Sequence, residues 1–234
     1  MIDPRIEFNE GNLIPHYQNK HKLYDRFLPH LAKYLEGTII DVGANCGALA
    51  VEMGSANPAL DFICIEPEQK HIDLLEKNIK IITNKVQVYK SKIGTEHTAL
   101  DLVLNLAKVD EIGLLKVDVD GYDWDVIDSY SFAKKPVIYI EEDFKEAWQT
   151  PEYFRMNKYL YGLGYTNFWM FDNFGCFIGF TNSLDEIGNI NAYIDRMKRG
   201  QSDMTLWYMD ILMCQNEDME RLSKAVVDYI IDGS

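Results

Sequence analysis

The sequence predicts a doubly wound α/β fold, a mostly parallel sheet with helices on both faces. Three observations predict it. Short apolar, β-branched runs alternate with helix-length segments between residues 38 and 141, the order that builds a parallel sheet. The first run opens into Asp41-Val42-Gly43-Ala44-Asn45-Cys46-Gly47, a strand turning sharply into a helix. Acidic residues then gather where later runs end, at Glu66, at 118–123 and at 141–143. Those carboxyl ends are where open parallel sheets bind ligands.

The elements follow in order. Residues 1–15 show no periodicity. From His16 to Glu36, Tyr17, Leu23, Tyr24, Phe27, Leu28, Leu31, Tyr34 and Leu35 recur at helical spacing. Pro29 is expected to break or restart that helix and Gly37 to end it. Strands are expected at 38–42, 61–65, 86–89, 113–118 and 137–141, and helices near 46–55, 68–82, 100–108 and 124–130. The pattern then changes to a helix at 151–162 and strands at 165–171 and 176–180. Asp172-Asn173-Phe174-Gly175 forms the hairpin turn between those two strands. A helix at 183–200, a strand at 206–214 and an amphipathic helix at 217–231 complete the chain. Residues 1–36 form an N-terminal helical segment and 37–234 the main domain, with no repeat, low-complexity tract or linker between them.

At 234 residues the chain is long enough for one substantial core. Its apolar and charged fractions, 47% and 26%, are those of a soluble globular protein. No apolar run reaches the length of a membrane span, and Met1-Ile2-Asp3-Pro4-Arg5 lacks the layout of a signal peptide, so a cytoplasmic location is expected. A net charge of −14 argues against nucleic-acid partners. Cys46, Cys64, Cys176 and Cys214 show no Cys-x-x-Cys spacing and are expected as reduced thiols.

The 41–47 loop suits a nucleotide-like ligand, because Gly43 and Gly47 let a ligand approach the backbone and a helix start offers N–H groups. The dinucleotide pattern is absent, with Asn45 where its middle glycine belongs, and no Gly-Lys-Ser/Thr follows. A cofactor with ribose and a free amino-acid end, such as S-adenosylmethionine, fits better. Glu66, 19 positions after Gly47, lies near the offset at which a carboxylate meets ribose hydroxyls. The alternative for Glu66 is to cap the helix that follows. Ser91, Lys92 and Ile93 stand where an adenine ring would be flanked.

Lys116-Val117-Asp118-Val119-Asp120-Gly121-Tyr122-Asp123 and Tyr139-Ile140-Glu141-Glu142-Asp143 carry the acidic clusters. Three readings stay open. Asp118 binds the cofactor's ammonium while Asp120 or Glu142 orients or deprotonates an acceptor hydroxyl. Alternatively, Asp118, Asp120 and Glu142 or Asp143 hold a divalent cation, although no His or Asn completes the ligand set. In the third, the acids cap helices and face water. Direct acid–base use ranks above a metal.

Together, the segments Ile40-Asp41-Val42-Gly43-Ala44-Asn45-Cys46-Gly47, Ile65-Glu66-Pro67 and 116–123 resemble the FkbM-type S-adenosylmethionine-dependent methyltransferases, with Gly164-Tyr165 a further likeness. The resemblance covers roughly residues 37–181. It departs at Asp120 and Asp123, where the family usually carries Glu. It implies a Rossmann-like, seven-stranded-type methyltransferase sheet and methyl transfer, typically to oxygen. It also implies that Asp41, Gly43, Ala44, Asn45 and Gly47 hold the methionine part, that Glu66 and Pro67 meet the ribose, that Ser91, Lys92 and Ile93 flank adenine, and that Asp118 lies beside the sulfonium. Many members modify sugars or small natural products, bacterial surface glycans among them, so a sugar-type small-molecule acceptor is expected.

The acceptor pocket is expected from the amino-terminal region, residues 144–151 and the segment after Phe180. Tyr122, Trp124, Trp148 and Trp169 are candidates to line it, and His97 is the one histidine worth testing as a base. A dinucleotide-dependent oxidoreductase and a non-catalytic assembly protein, a homo-oligomer joined through residues 183–231, are the rival readings.

Overall fold

The computed structural model describes residues 3–200 and 206–232. Met1 and Ile2, used in the signal-peptide expectation, lie outside them, as do the last two residues of the expected 37–234 domain. Two short helices lead, α1 (Ile14–Lys20) and α2 (Phe27–Leu31). Of the two expectations for Pro29, the restart is the one seen: the helix breaks at residues 21–26 and restarts at Phe27, with Pro29 in the first turn of α2. Proline is tolerated there because the first N–H groups of a helix have no intrahelical partner.

The alternating region gives β1 (Thr38–Val42), α3 (Ala48–Ala56), β2 (Asp61–Ile65), α4 (Gln69–Asn78), β3 (Val86–Tyr89), α5 (Leu100–Ala107), β4 (Ile112–Val117), α6 (Asp123–Asp128) and β5 (Val137–Asp143). The chain continues with α7 (Gln149–Gly162), β6 (Asn167–Asp172), β7 (Phe177–Thr181), α8 (Leu184–Gly200), β8 (Tyr208–Cys214) and α9 (Met219–Asp232).

The sheet runs β3-β2-β1-β4-β5-β8-β6-β7. Its first five strands are parallel, and β8, β6 and β7 pair antiparallel. The seven-stranded expectation is therefore corrected to a mixed sheet of eight strands, because β8 inserts between β5 and the β6–β7 hairpin. Strand order reverses between β1 and β4, which puts the ligand crevice at their carboxyl ends.

Side-chain alternation decides what each face receives. Ile40, Val42, Leu115, Val117, Ile138 and Ile140 pack into one core cluster, with residues of α5, α6, α7 and α8. Ile39, Leu114, Tyr139 and Leu212 pack into the other, with residues of α2, α3 and α9. Asp41, Lys116, Glu141 and Asp210 keep the parity of the second set, so all four point to the same face across adjacent strands β1, β4, β5 and β8. Among the described residues no helix is long and apolar enough to cross a membrane.

Candidate functional site

A cleft of about 1410 Å³ opens on that face at the strand ends. Its donor-side wall is the loop after β1. Gly43 has φ 84°, and a Cβ there would lie 1.9 Å from the Asp118 carbonyl oxygen. The expectation that this glycine clears space for a ligand is corrected: it lets β1 and β4 run together at their ends. Gly47, at φ 75°, is packed beneath the Leu75 side chain.

The loop's own N–H groups are largely spent inside the protein. Gly43 and Ala44 donate to the Ile65 carbonyl and Asn45 donates to Glu66 Oε2 at 2.9 Å. The other Glu66 oxygen accepts from Glu68 N at 2.9 Å and lies 3.3 Å from His71 Nδ1. Glu66 therefore braces the loop and the start of α4 while still lining the cleft. Oε2, which meets Asn45 alone, has a second lone pair free for a further donor.

At the centre, Lys116 on β4 stands opposite Asp41 on β1 in the parallel register. Its Nζ lies 3.1 Å from Asp41 Oδ1, 3.2 Å from Asp118 Oδ2 and 3.3 Å from the Gly43 carbonyl oxygen. Burial raises the Asp41 carboxyl above the usual range, with Lys116 opposing it. Burial works against the Lys116 ammonium, but the two carboxylates outweigh it and hold the lysine above its ordinary value. Asp41 is 1% exposed and neither of its oxygens accepts a hydrogen bond of good geometry. Asp118 faces the cleft with its side chain 38% exposed.

The expected site residues divide. Asp41, Gly43, Ala44, Asn45, Glu66, Pro67, Ser91, Lys92, Ile93 and Asp118 line the one cleft, and Gly47 lies just behind it. Asp120 lines its mouth, but its side chain is 78% exposed and pairs with Lys145 Nζ at 2.6 Å. Glu142 does not reach the cleft. It follows the parity of Ile138 and Ile140 and is buried behind the sheet, where Asn157 and Asn191 donate to its two oxygens at 2.9 and 2.6 Å. Burial pushes its carboxyl up to about 8, against those two donors.

Asp123 is also internal, accepting from the N–H groups of Val119 and Gly121 and from the Tyr153 hydroxyl. Burial first, and Asp118 second, raise it to about 7. Of the aromatic candidates, Tyr122 lines the cleft, with Trp148 beside it at 5.5 Å between ring centroids. Trp124 packs edge-on against Tyr159, and Trp169 is core. His97 lies outside the cleft lining.

The opposite wall of the cleft has no sequence motif. Glu141 and Asp210 face each other across the β5–β8 pair, and Asp25 closes on them from the segment between α1 and α2. Desolvation within the cleft is the main cause raising the half-buried Glu141 and Asp210 carboxyls, with neighbouring acids adding to it, and Asp25, exposed at the cleft surface, is raised in the same direction. Tyr24, Tyr139 and Tyr208 surround them, and His21 stacks on Phe174 with centroids 4.0 Å apart. A lone acid inside Tyr208-Met209-Asp210-Ile211-Leu212 was the available signal. For Asp25 the signal was weaker, a charged residue within an aromatic stretch. Among the described residues no group of three or more His, Cys, Asp or Glu is arranged to hold a metal ion.

Residues 55–166 match the model of the methyltransferase FkbM domain. The match covers just under half of the chain. The matched segment runs from the end of α3 to just before β6, taking in Glu66, Lys116, Asp118 and Glu141. No curated protein matches the chain in sequence.

Among solved structures, the plantazolicin methyltransferase BpumL, in complex with a monoazolic desmethylPZN analog and SAH, is similar over 86% of this chain and 88% of its own. The identity is 14% and the TM-score 0.50. M. capricolum TrmK in complex with S-adenosyl-homocysteine aligns over 81% and 67%, at 13% identity and TM-score 0.47. The precorrin-6y C5,15-methyltransferase of Geobacter metallireducens GS-15 aligns over 92% and 94%, at 11% identity and TM-score 0.45. The fold is the Rossmann-like methyltransferase fold, here with eight strands.

Proposed function

We propose that this methyltransferase uses S-adenosylmethionine to methylate a hydroxyl of a sugar-type small metabolite. One observation carries the proposal: a single cleft runs from the 41–47 loop and Glu66, past Asp118, to the Glu141–Asp210 pair. At about 1410 Å³ it exceeds the roughly 300–1,000 Å³ of a pocket for one small ligand. That size suits a donor and an acceptor side by side.

The residues present fit the donor. Asp41, buried with Lys116 as its ion-pair partner, and the cleft-facing Asp118 together carry one negative charge more than Lys116 balances, which suits a cationic amino group. Glu66 keeps acceptor capacity for a diol, and the buried Ile93 offers an apolar flank for a flat ring. When bound, S-adenosylmethionine supplies a methyl group on an electrophilic sulfonium centre. Holding the acceptor oxygen in line with that group accounts for much of the rate such a site can give.

The base is drawn from the carboxylates that face the cleft. Glu141 and Asp210 are directly opposed, so they share protons as a coupled pair rather than ionising independently. The ionised member takes the proton from the acceptor hydroxyl as the oxygen acquires the methyl group. Asp120, held by Lys145 at the rim, and Glu142, behind the sheet, are replaced in this role.

A second reading, transfer to an amine nitrogen, is favoured by one observation. Among the described residues the side chains of Asp25 and Glu141 make no hydrogen bond or ion pair, although both line the cleft. Unpaired carboxylates in such a place suit a cationic acceptor.

Calorimetric titration with S-adenosylmethionine and S-adenosylhomocysteine tests the donor, and absence of binding by both removes the proposal. Neutral sugars, nucleotide-sugars and amine-bearing sugars are then screened for release of S-adenosylhomocysteine. Locating the methyl group on the product separates oxygen from nitrogen, and a parallel assay with a chelator measures any metal requirement.

A further inference from the structure

We propose that Lys116 is a positioning residue for the methyl donor: its ammonium holds Asp41 and Asp118, carried at the ends of two adjacent strands, in the arrangement that receives the donor's cationic amino group. The proposal rests on the S-adenosylmethionine reading above and adds a role for a residue that needs no contact with the donor itself.

The geometry is specific. Lys116 is 8% exposed, and its Nζ has three acceptors within 3.3 Å, one from each of Asp41, Gly43 and Asp118. The Gly43 carbonyl accepts a hydrogen bond from it, and the two carboxylates are its ion-pair partners. Two of the acceptors belong to the β1 end and one to the β4 end, so a single side chain ties the two strand ends at the point where strand order reverses. The register enforces it, because Asp41 and Lys116 are partners across the parallel pair.

The charge count points to what enters. Two carboxylates share one ammonium, leaving the trio one negative charge in excess, and Asp118 turns part of its side chain to the cleft. A cationic amino group on a ligand balances that excess. The groups that act on this trio are the carboxyls of Asp25, Glu66, Asp123, Glu141 and Asp210 and the buried thiols of Cys46 and Cys64, with no further cation among them. Without Lys116, Asp41 and Asp118 would face each other among these acids, and one of them would take up a proton. A protonated carboxyl no longer attracts a cation. The loss would therefore grow as pH falls.

The experiment is calorimetric titration of the full chain with S-adenosylhomocysteine at pH 6.5 and 8.5, comparing wild type, Lys116→Met and Lys116→Arg. Wild type should keep its affinity within about threefold across this range. Lys116→Met should bind roughly thirtyfold more weakly at pH 6.5 and regain about tenfold at pH 8.5, since each pKa unit of protonation cost corresponds to a tenfold change. Lys116→Arg keeps the charge with a different fork, so it should bind moderately more weakly with the flat pH profile restored.

Affinity of Lys116→Met within threefold of wild type at both pH values would overturn the proposal. So would an equal loss at both pH values, which marks a merely structural part. If Lys116→Met does not fold, Lys116→Arg decides, and wild-type affinity in that variant refutes the geometric claim. Failure of wild type to bind S-adenosylhomocysteine at either pH rejects the donor reading instead.

Discussion

The two ends of the cleft treat their carboxylates differently. At the donor end, Asp41 and Asp118 share Lys116, and Glu66 is met by the N–H groups of Asn45 and Glu68 and by His71. At the acceptor end, Asp25 and Glu141 are left without such partners, and Asp210 faces Glu141 across the strand pair. Asp25 is exposed to the cleft, but Glu141 is half-buried, and an unpaired acid in such a place costs stability. Groups that a fold needs only for itself are usually satisfied, so those left open mark where a second molecule completes the set. The donor end resembles a finished socket. The acceptor end is finished by what binds.

Four substitutions test this contrast, from the largest expected effect to the smallest. Glu141→Gln should lower turnover roughly hundredfold or more while S-adenosylhomocysteine affinity in calorimetry stays close to wild type. Equal losses in both would merge the two ends into one. Glu66→Ala should act in the opposite sense, weakening S-adenosylhomocysteine about tenfold through loss of charged hydrogen bonds, with a smaller change in turnover at saturating donor.

Glu142→Gln separates neighbours that point to opposite faces. Turnover should remain near wild type, because this side chain never reaches the cleft. Its effect lies in stability. The carboxyl is raised to about 8 in the fold and is lower in the unfolded chain. Its contribution is therefore fully present below the unfolded value and is lost as pH rises through about 8. Removing the titrating group should abolish a pH-dependent decline on the order of 3 kcal/mol between pH 5 and 9, read as a flatter dependence of melting temperature on pH. A pH slope unchanged from wild type would break the assignment. Asp120→Asn, at the solvent-exposed rim, should change turnover by no more than about threefold, consistent with an exposed ion pair. A larger fall would return the base to Asp120.

How much was legible in the sequence follows the same division. The donor end was readable because its residues are local: the strand, the glycine loop and the acid after the next strand lie within a short stretch, and each has a spacing rule. The strands of the parallel region were readable for a related reason, since they are buried on both faces and so appear as apolar runs. The acceptor end was not, because it is assembled by tertiary packing from the residues around Asp25, the end of β5 and the middle of β8. In Glu141-Glu142-Asp143 the sequence marks an acidic strand end but not which parity faces the ligand. That depends on which side α2, α3 and α9 occupy, and choosing Glu142 over Glu141 reversed it. Asp210 lay on a strand that was anticipated but whose place, between β5 and β6, no local pattern indicates. Gly43 was identified as necessary for the wrong reason, since its constraint comes from Asp118, far away along the chain.

That close approach of Gly43 to the Asp118 carbonyl has a consequence for how the protein could be altered. Donor loop and β4 end are locked to one another, with no room for even a methyl group between them. The two move as one piece, and changes there put the methyl supply at risk. The roof of the acceptor end comes from elsewhere, from residues 12–28 and the 173–175 turn, segments that carry none of the strand register. A protein engineer seeking a new acceptor would therefore diversify those stretches and leave the locked pair alone. Natural divergence in substrate choice has the same freedom.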